Sequence, residues 1–384
     1  MGSAAAAGLR YVTDAMPGIR RQRHGRGFTY TDPDGQVIRS REIIKRFRSL
    51  VIPPAWTDVW ICPYEDGHLQ VTARDARGRK QYRYHPGFRQ HRDGTKFERM
   101  FELSNVLWKI RERVESDIEL PGLARDKIMA TVVWLLETTL IRIGSDEYAK
   151  ANKSFGLTTM RRRHVAVVGS EMRFEFRGKS RIQHAVSVTD KRIARIVQRC
   201  QELRGEELFK YIDDEGKRQT VQAEDVNAYL QDVTGQEITA KDFRTWAGTM
   251  LVAEALRKTG PAKTKREAER NIVAAVDLTA KRLGNTRSVC RKYYIHPELI
   301  EAYLEGSVLP PLPERTWSKR KSHGPALRQH EEDVLAFLKA RLKAGSKRLA
   351  ESRQKAAAAK AEELPVESPD QRPEERTELE PTGS

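Results

Sequence analysis

The sequence is poor in cysteine and has no pattern typical of a metal or nucleotide site. Its three cysteines, Cys62, Cys200 and Cys290, are far apart and form no CxxC pair. A disulfide framework or a zinc module is therefore not expected, and the thiols should be reduced. The nine histidines have no metal-ligand spacing, and no GxxxxGK[ST] loop is present. The sequence predicts neither a metal nor a cofactor.

Long apolar runs are also missing. The apolar stretch at residues 128–136 stops at Glu137 and is far shorter than the roughly 20 residues that span a bilayer. The opening residues, MGSAAAAG, lack the apolar core of a signal peptide. We therefore expect a cytoplasmic protein with no membrane partner.

Positive charge, in contrast, is abundant. The 384 residues include 70 Lys and Arg against 53 Asp and Glu, a formal net charge of +17. Such a surplus is typical of proteins that bind a polyanion, most often nucleic acid. Towards the end of the chain, residues 341–360 hold seven bases and one acid, and residues 361–384 hold eight acids and two bases. Charge blocks of this kind predict a solvated, disordered tail.

Periodicity predicts an α+β fold with a small sheet-rich N-terminal domain and a larger, mainly helical C-terminal domain. The first domain is indicated by a turn at Asp34 and Gly35, a helix at 40–50, and short strands at 59–61 and 68–73. The predicted divisions are a flexible arm at 1–26, an N-terminal domain at 27–92, a main domain at 93–312 and a basic, then acidic, extension at 313–384.

In the main domain the helical period begins near residue 95. Residues 165–188 alternate apolar and charged side chains, which predicts a three-stranded antiparallel sheet with Lys179 at an exposed tip. One long helix is predicted over residues 123–152 and includes Arg142. Further helices are predicted at 189–204, 223–231, 239–258, 264–283, 288–304 and 331–349.

One basic segment, residues 74–86, also contains two tyrosines. Its cations suit phosphates and its tyrosines suit sugar or base contacts, so we predict that it lines a nucleic-acid groove. A solvated basic loop is the alternative interpretation. The candidate DNA-binding residues are Arg79, Lys80, Tyr82, Arg83 and Tyr84.

Residues 283–297 hold two adjacent tyrosines, Tyr293 and Tyr294, among several Arg and Lys. A tyrosine hydroxyl is a poor nucleophile because its pKa is about 10, but nearby cations favour the phenolate and attract phosphate. In a helix the two side chains point about 100° apart, so only one can face a phosphate. Val289, four residues before Tyr293, suggests that Tyr293 lies on the packed face. Two half-buried aromatics on a basic helix remain the simpler interpretation of this stretch alone.

Three more residues complete a set that suits phosphodiester cleavage. They are Arg142 in IRIG, Lys179 in FRGKSR and Arg244 in KDFRTW, and they precede Tyr294 in KYYIHP. Cleavage needs a nucleophile, positive charge on the non-bridging oxygens and a proton donor for the leaving oxygen. Two arginines, a lysine and a tyrosine would supply all three without a metal. Each residue alone is a weak signal, because the chain has 70 basic residues.

The strings around these residues resemble those of the poxvirus-like and bacterial type IB DNA topoisomerases. The similarity covers roughly residues 20–310, in family order. The matching strings are GRKQYRYHP, IRIGSDEYAKANKSFGLTTMRRRHV, FRGKS, KDFRTW and LGNTRSVCRKYYIHP.

The resemblance implies a role for each matching residue. Tyr294 attacks a DNA phosphate and forms a 3′-phosphotyrosyl link, while Arg142 and Arg244 bind the non-bridging oxygens. Lys179 protonates the 5′ oxygen. Asn285 stands nine residues before Tyr294, where many relatives have a histidine; its amide can donate a hydrogen bond to phosphate but carries no charge.

The resemblance also implies a substrate and a division of labour. Residues 27–92 would clamp DNA and residues 93–312 would be catalytic. The substrate would be supercoiled double-stranded DNA, relaxed without ATP or any cofactor by a monomer associated with the nucleoid.

Two alternatives remain open at this point. A tyrosine recombinase would use the same chemistry with ordered strand exchange. Recombinases, however, typically have a histidine three residues before the second arginine, where this chain has Lys241. A non-enzymatic basic DNA-binding protein would not need Tyr294 at all.

Overall fold

The computed structural model describes residues 2–25, 27–76, 78–307, 309 and 327–362. Of the predicted extension at 313–384, residues 313–326 and residues 363–384, which form most of its acidic part, lie outside these ranges.

The N-terminal part is built on a five-stranded antiparallel sheet with the strand order β2-β1-β3-β4-β5. A short helix α1 (Gly2–Ala6) precedes the sheet, and α2 (Arg41–Ser49) packs Phe47 against one face, as the helical spacing predicted. The strands are β1 (Ile19–His24), β2 (Gly27–Thr31), β3 (Thr57–Ile61), β4 (Leu69–Arg74) and β5 (Lys80–Tyr84).

The flexible arm predicted over residues 1–26 is wrong for residues 19–24. These residues form β1, which lies inside the sheet between β2 and β3. Ile19 is buried, and the Arg21 side chain donates to the backbone oxygens of Ile52, Pro53 and Trp56. The strand sequence IRRQRH looks like a solvated basic segment. It gives no sign that Arg21 is buried, because the partners of Arg21 are backbone carbonyls distant in sequence.

The remaining chain is mainly helical and confirms the α+β fold. Its core runs through α4, where ten of the fifteen residues are buried. The helices are α3 (Pro86–Asp117), α4 (Arg125–Thr139), α5 (Asp146–Asn152), α6 (Lys191–Glu202), α7 (Ala223–Thr234), α8 (Ala240–Thr259), α9 (Lys265–Leu283), α10 (Arg287–Tyr294), α11 (Pro297–Leu304) and α12 (Gln329–Glu362).

The predicted three-stranded antiparallel sheet is also confirmed, with the order β6-β7-β8. Its strands are β6 (Val165–Val168), β7 (Glu171–Arg177) and β8 (Gln183–Thr189), and Lys179 is exposed between β7 and β8. A small hairpin of β9 (Lys210–Ile212) and β10 (Arg218–Thr220) completes the strands of the described residues. No helix in the described ranges is both long and apolar enough to cross a membrane.

Two predicted helices are each divided into two. The helix expected over 123–152 ends at Thr139, because Leu140 adopts a left-handed backbone with φ 58°, and the chain resumes as α5 only at Asp146. The helix expected over 288–304 breaks between α10 and α11, where Pro297 starts the second helix. Both breaks lie beside residues that the sequence predicted to be functional.

The helix α12 packs against the main core through Val334, Leu335 and Leu338. It also delivers Glu331 to a buried ion cluster: the Arg111 guanidinium lies 2.9 Å from Glu331 and 2.6 Å from Glu137. Burial by itself lowers the pKa of Arg111, but the two carboxylates outweigh burial and raise it. The helix is therefore joined to α3 and α4 by charge as well as by apolar contact.

We expect Arg111→Met to lower the free energy of unfolding by about 3–5 kcal/mol, because it removes the nearest cation from two carboxylates in a buried site. Urea unfolding measures the change. Arg192→Met is the matched control: Arg192 also pairs with a glutamate, Glu115 at 2.7 Å, but its side chain is 37% exposed. That variant should lose no more than about 1 kcal/mol. Equal losses in the two variants would contradict the assigned role of the buried cluster.

Candidate active site

Tyr294 is the last residue of α10 and is held by its backbone against α8. Gly248 of α8 makes the close approach possible, since a Cβ at that position would lie 2.3 Å from the Tyr294 carbonyl oxygen. The Thr249 hydroxyl donates to the same oxygen at 3.4 Å and accepts from the backbone nitrogen of His296 at 3.1 Å. The position of the Tyr294 backbone is thus fixed relative to α8.

The two adjacent tyrosines have different surroundings. Tyr294 is half-buried and faces α8, whereas Tyr293 is 41% exposed beside the ammonium groups of Lys96 and Lys292. Val289 is exposed as well. The prediction that Tyr293 lies on the packed face is therefore wrong, although the prediction that the two rings point apart is confirmed.

Arg244 projects from α8 towards the Tyr294 ring. Its guanidinium carbon lies 5.2 Å from the ring centre, and its side chain is almost fully buried. One terminal nitrogen donates to the Leu140 carbonyl and the other to the Leu283 carbonyl at 2.6 Å. Burial lowers the pKa of Arg244, and Tyr294 opposes that shift. The arginine is therefore a rigid cation beside the tyrosine.

Arg142 approaches the same place from the extended segment between α4 and α5. Its terminal nitrogen donates to the Gly284 carbonyl at 3.1 Å and to Oδ1 of Asn285. Its own carbonyl accepts from the backbone of Leu157 at 2.9 Å, which holds the segment in place. Burial, and next the charge of Arg244, lower the pKa of Arg142 to about 10, so it remains protonated at neutral pH.

Asn285 follows Gly284, the left-handed residue that ends α9. With Oδ1 engaged by Arg142, the Asn285 Nδ2 group is left buried without a hydrogen-bond partner among the described residues. The Nε of Arg244 is in the same condition. Buried donors are costly to leave unpaired, so the unpaired donors of Asn285 and Arg244 are available to an anion.

Lys179 lies apart from this group, on the loop between β7 and β8. Its Nζ is 6.0 Å from the ring centre of Tyr148 on α5. The Coulomb interaction with Tyr148 also acts to raise the pKa of Arg142, against the effect of burial. The structure therefore brings Arg142, Arg244, Asn285 and Tyr294 together and places Lys179 at the edge of the group, next to Tyr148.

The candidate DNA-binding residues of β5 do not share one face. Lys80, Tyr82 and Tyr84 lie on one side of the strand, and the Tyr82 and Tyr84 rings are nearly parallel with centres 6.2 Å apart. Arg83 points to the other side, where it donates to the Val51 carbonyl at 2.8 Å and lies over Trp56.

Two of these cations already have acidic partners. Lys80 pairs with Asp14 at 2.8 Å, and Arg79, just before the strand, pairs with Asp75 at 2.7 Å. Hydrogen bonds to these carboxylates raise the pKa of both side chains. A phosphate would therefore compete with Asp14 and Asp75 for these cations.

Comparison with known proteins identifies the family. Residues 85–307 match the family described as the eukaryotic DNA topoisomerase I catalytic core, and residues 27–75 match the bacterial DNA topoisomerase IB N-terminal domain. A DNA topoisomerase 1B of Acanthamoeba polyphaga mimivirus is 30% identical over 296 residues, which cover 75% of this chain and 88% of the relative.

The chain belongs to the type IB DNA topoisomerase family. Its activity is that of a type IB DNA topoisomerase, an isomerase. More distant relatives are the DNA topoisomerase 1B of Vaccinia virus (strain Copenhagen), 23% identical over 65% of this chain and 78% of the relative, and the DNA topoisomerase 1 of Rabbit fibroma virus (strain Kasza), 23% identical over 74% and 91%.

The two ranges that match topoisomerase families include the predicted catalytic residues but leave out several elements of the structure. The catalytic-core match includes all five residues of the predicted catalytic set. The strand β5 lies between the two matched ranges, and α12 lies beyond both. The C-terminal helix that supplies Glu331 is thus an addition to the matched part of this topoisomerase.

Sequence reasoning missed Gly248 and Tyr148 as neighbours of the topoisomerase site. Gly248 had a signal, because an isolated glycine inside a predicted helix lowers its stability and usually has a packing reason. It also stands four residues after Arg244, on the same face of α8. The only sequence signal for Tyr148 was its place in the IRIGSDEYAKAN string.

Proposed function

We propose that Tyr294 is the nucleophile of this topoisomerase and that Arg142, Arg244 and Asn285 bind the phosphate it attacks. The observation that supports this most directly is the Arg244 guanidinium at 5.2 Å from the Tyr294 ring. Arg142 and Asn285 are hydrogen-bonded to each other on the same site. Two cations and an amide are thus grouped beside one tyrosine, where they can stabilise the negative charge on the non-bridging oxygens of a phosphate.

The proposed reaction is an exchange of one phosphodiester for another. The Tyr294 hydroxyl gives up its proton to water as its Oη attacks phosphorus in line, and the bond between phosphorus and the 5′ oxygen breaks. The electron pair goes to the 5′ oxygen, which takes a proton from the Lys179 ammonium. Arg142, Arg244 and the free Nδ2 of Asn285 stabilise the charge on the non-bridging oxygens. The product is a 3′-phosphotyrosyl link and a free 5′ hydroxyl.

The link conserves the bond energy, so resealing needs no ATP. The free 5′ end rotates about the intact strand and then attacks the phosphotyrosine, which returns Tyr294 to its starting state. In this proposal the enzyme acts as a monomer on supercoiled double-stranded DNA, in the cytoplasm with the nucleoid.

A trapped covalent adduct tests the proposal. A duplex with a nick just downstream of the cleavage site loses the short downstream fragment that ends in a 5′ hydroxyl, so the strand cannot be resealed. Digestion and mass spectrometry should place the nucleotide on Tyr294, and supercoiled plasmid should relax without ATP. An adduct on Tyr293, or relaxation without any adduct, would contradict the assignment.

We also propose that the β5 face with Lys80, Tyr82 and Tyr84 contacts DNA. Tyr82 is 46% exposed. The Lys80 ammonium lies 2.8 Å from a carboxylate oxygen of Asp14, so Lys80 already attracts an anionic oxygen at this position. Arg83 points away from this face and is held by backbone, so we assign it to the packing of the domain.

Lys80→Met should therefore weaken DNA binding uniformly across sequences and reduce the slope of log K against log salt by about one. Arg83→Met is the matched control on the same strand, and it should leave the slope unchanged. Fluorescence anisotropy with a duplex at several salt concentrations measures both. Equal slopes for the two variants would show that the two faces do not differ in DNA contact.

A further inference from the structure

His184 lies beside the catalytic set, although no role in the proposed reaction uses it. It is on β8, directly opposite Phe176 of β7 in the antiparallel register. The imidazole stacks on the Phe176 ring with centres 5.0 Å apart and planes 6° apart. The ring is therefore fixed in orientation by the sheet that carries Lys179.

The edges of the imidazole contact two glycines from two different loops. A Cβ on Gly178 would lie 2.7 Å from the His184 ring, and a Cβ on Gly284 would lie 2.1 Å from its Cε1. Both distances are too short for any side chain larger than hydrogen. The ring thus fills the space between the loop that continues into Lys179 and the turn that continues into Asn285.

The backbone hydrogen bonds of the Lys179 loop all lie within the loop itself. The Gly178 nitrogen donates to the Ile182 carbonyl at 2.8 Å, the Arg181 nitrogen to the Gly178 carbonyl at 3.1 Å, and the Ile182 nitrogen to the Lys179 carbonyl at 3.5 Å. Ser180 and Arg181 both have φ of 62°, which is costly for residues with a side chain. A loop of this kind needs a contact with its surroundings to keep one position.

The charges around His184 favour its neutral form. Burial, then Arg142, then Arg244 lower the pKa of its imidazole. A neutral ring separates the two loops without adding a third positive charge to the arginines.

We propose that His184 is a positioning residue that sets the distance between Lys179 and the phosphate held by Arg142 and Asn285. The inference rests on the proposed role of Lys179 as the general acid. Without the imidazole, the Lys179 loop would lose its contact with the Gly284 turn, and the ammonium would no longer reach the 5′ oxygen. The bonding steps at phosphorus would be unchanged.

The leaving group provides a selective test. With a normal substrate, the electron pair of the breaking bond goes to the 5′ oxygen, which needs the proton from Lys179. With sulfur in the 5′ bridging position, the electron pair stays on a stable thiolate, because a thiol is far more acidic than an alcohol. A defect in proton donation should therefore disappear with the sulfur substrate, whereas a defect in phosphate binding or folding should persist.

The experiment compares single-turnover cleavage of both substrates by the wild type and by the His184→Ala, Lys179→Ala and double variants. With the oxygen substrate, His184→Ala should be about 10- to 100-fold slower, the range for a misplaced catalytic group. With the sulfur substrate it should cleave within about threefold of the wild type. The double variant should be no slower than Lys179→Ala, because both changes remove the same proton transfer.

His164→Ala is the matched control, because His164 is also half-buried and packs its ring on a phenylalanine, Phe155, at 4.6 Å. Any rate loss that it causes should be the same with both substrates.

The outcomes separate the inference from the proposed function. If Lys179→Ala is restored by sulfur and His184→Ala is not, or if His184→Ala cleaves the oxygen substrate at the wild-type rate, the positioning role of His184 is overturned and that of Lys179 stands. If Lys179→Ala itself gains nothing from sulfur, the general-acid role of Lys179 fails, and the role of His184 fails with it.

Discussion

Tyr294→Phe is expected to abolish relaxation, by a factor on the order of 10⁴ or more, and to form no covalent adduct. The change removes one oxygen atom and keeps the ring that lies beside Arg244. The fold and the phosphate-binding groups should therefore persist. DNA binding at constant salt should stay close to that of the wild type, so the loss should be in the chemical step alone. Plasmid relaxation and single-turnover cleavage measure it directly.

Tyr293→Phe is the matched control, because it removes the same atom from the adjacent residue. Tyr293 is exposed and lies beside Lys96 and Lys292 rather than the arginines. We expect this variant to relax DNA within about twofold of the wild type, since exposed substitutions away from the site have small effects. Full activity of Tyr294→Phe would show that Tyr294 is not the nucleophile. Loss of activity in Tyr293→Phe alone would assign that role to Tyr293.

The sequence was sufficient to predict the two-part α+β architecture, because the helical and strand periods differ clearly along the chain. It also predicted a set of five catalytic residues. The structure groups Arg142, Arg244, Asn285 and Tyr294 and places Lys179 at the edge of this group. Arg142, however, was predicted within a helix. The apolar residues that follow Thr139 continue the helical spacing, but Leu140 takes a left-handed conformation and the chain leaves the helix.

That departure depends on contacts which the local pattern does not contain. The Leu140 carbonyl accepts from Arg244, more than a hundred residues away, and the Arg142 carbonyl accepts from Leu157. Gly156 lets the two segments approach, since a Cβ there would lie 2.5 Å from the Arg142 carbonyl oxygen. Tertiary hydrogen bonds thus overrode local helix propensity at the residue that contacts Asn285.

The same dependence on tertiary contacts explains why the sequence alone did not single out His184. In the sequence it is one of nine histidines, in an alternating strand, with no spacing that links it to another functional residue. Its neighbours Gly178 and Gly284 come from loops about a hundred residues apart. Only the three-dimensional arrangement shows that the two glycines leave room for one imidazole.

Gly248→Ala is expected to reduce the rate of DNA cleavage by about 100-fold while leaving DNA affinity nearly unchanged. The added methyl group would lie 2.3 Å from the Tyr294 carbonyl oxygen and 2.8 Å from the Tyr294 Cβ, so α8 and the end of α10 must move apart. Arg244 stays on α8, and the hydroxyl of Tyr294 shifts away from it. A displacement of about 1 Å at a reacting group can cost two orders of magnitude in rate.

Gly345→Ala makes the same change in another helix, α12, where a Cβ would meet nothing within 4 Å. Alanine favours a helix over glycine by about 1 kcal/mol, so this control should be slightly more stable than the wild type and equally active. Single-turnover cleavage and duplex binding separate the two cases. If Gly248→Ala cleaved DNA as fast as Gly345→Ala, the close approach of α8 would not be what sets the position of Tyr294. A rate loss confined to Gly248→Ala, with binding intact, would mean that α8 positions both the nucleophile and the arginine that faces it.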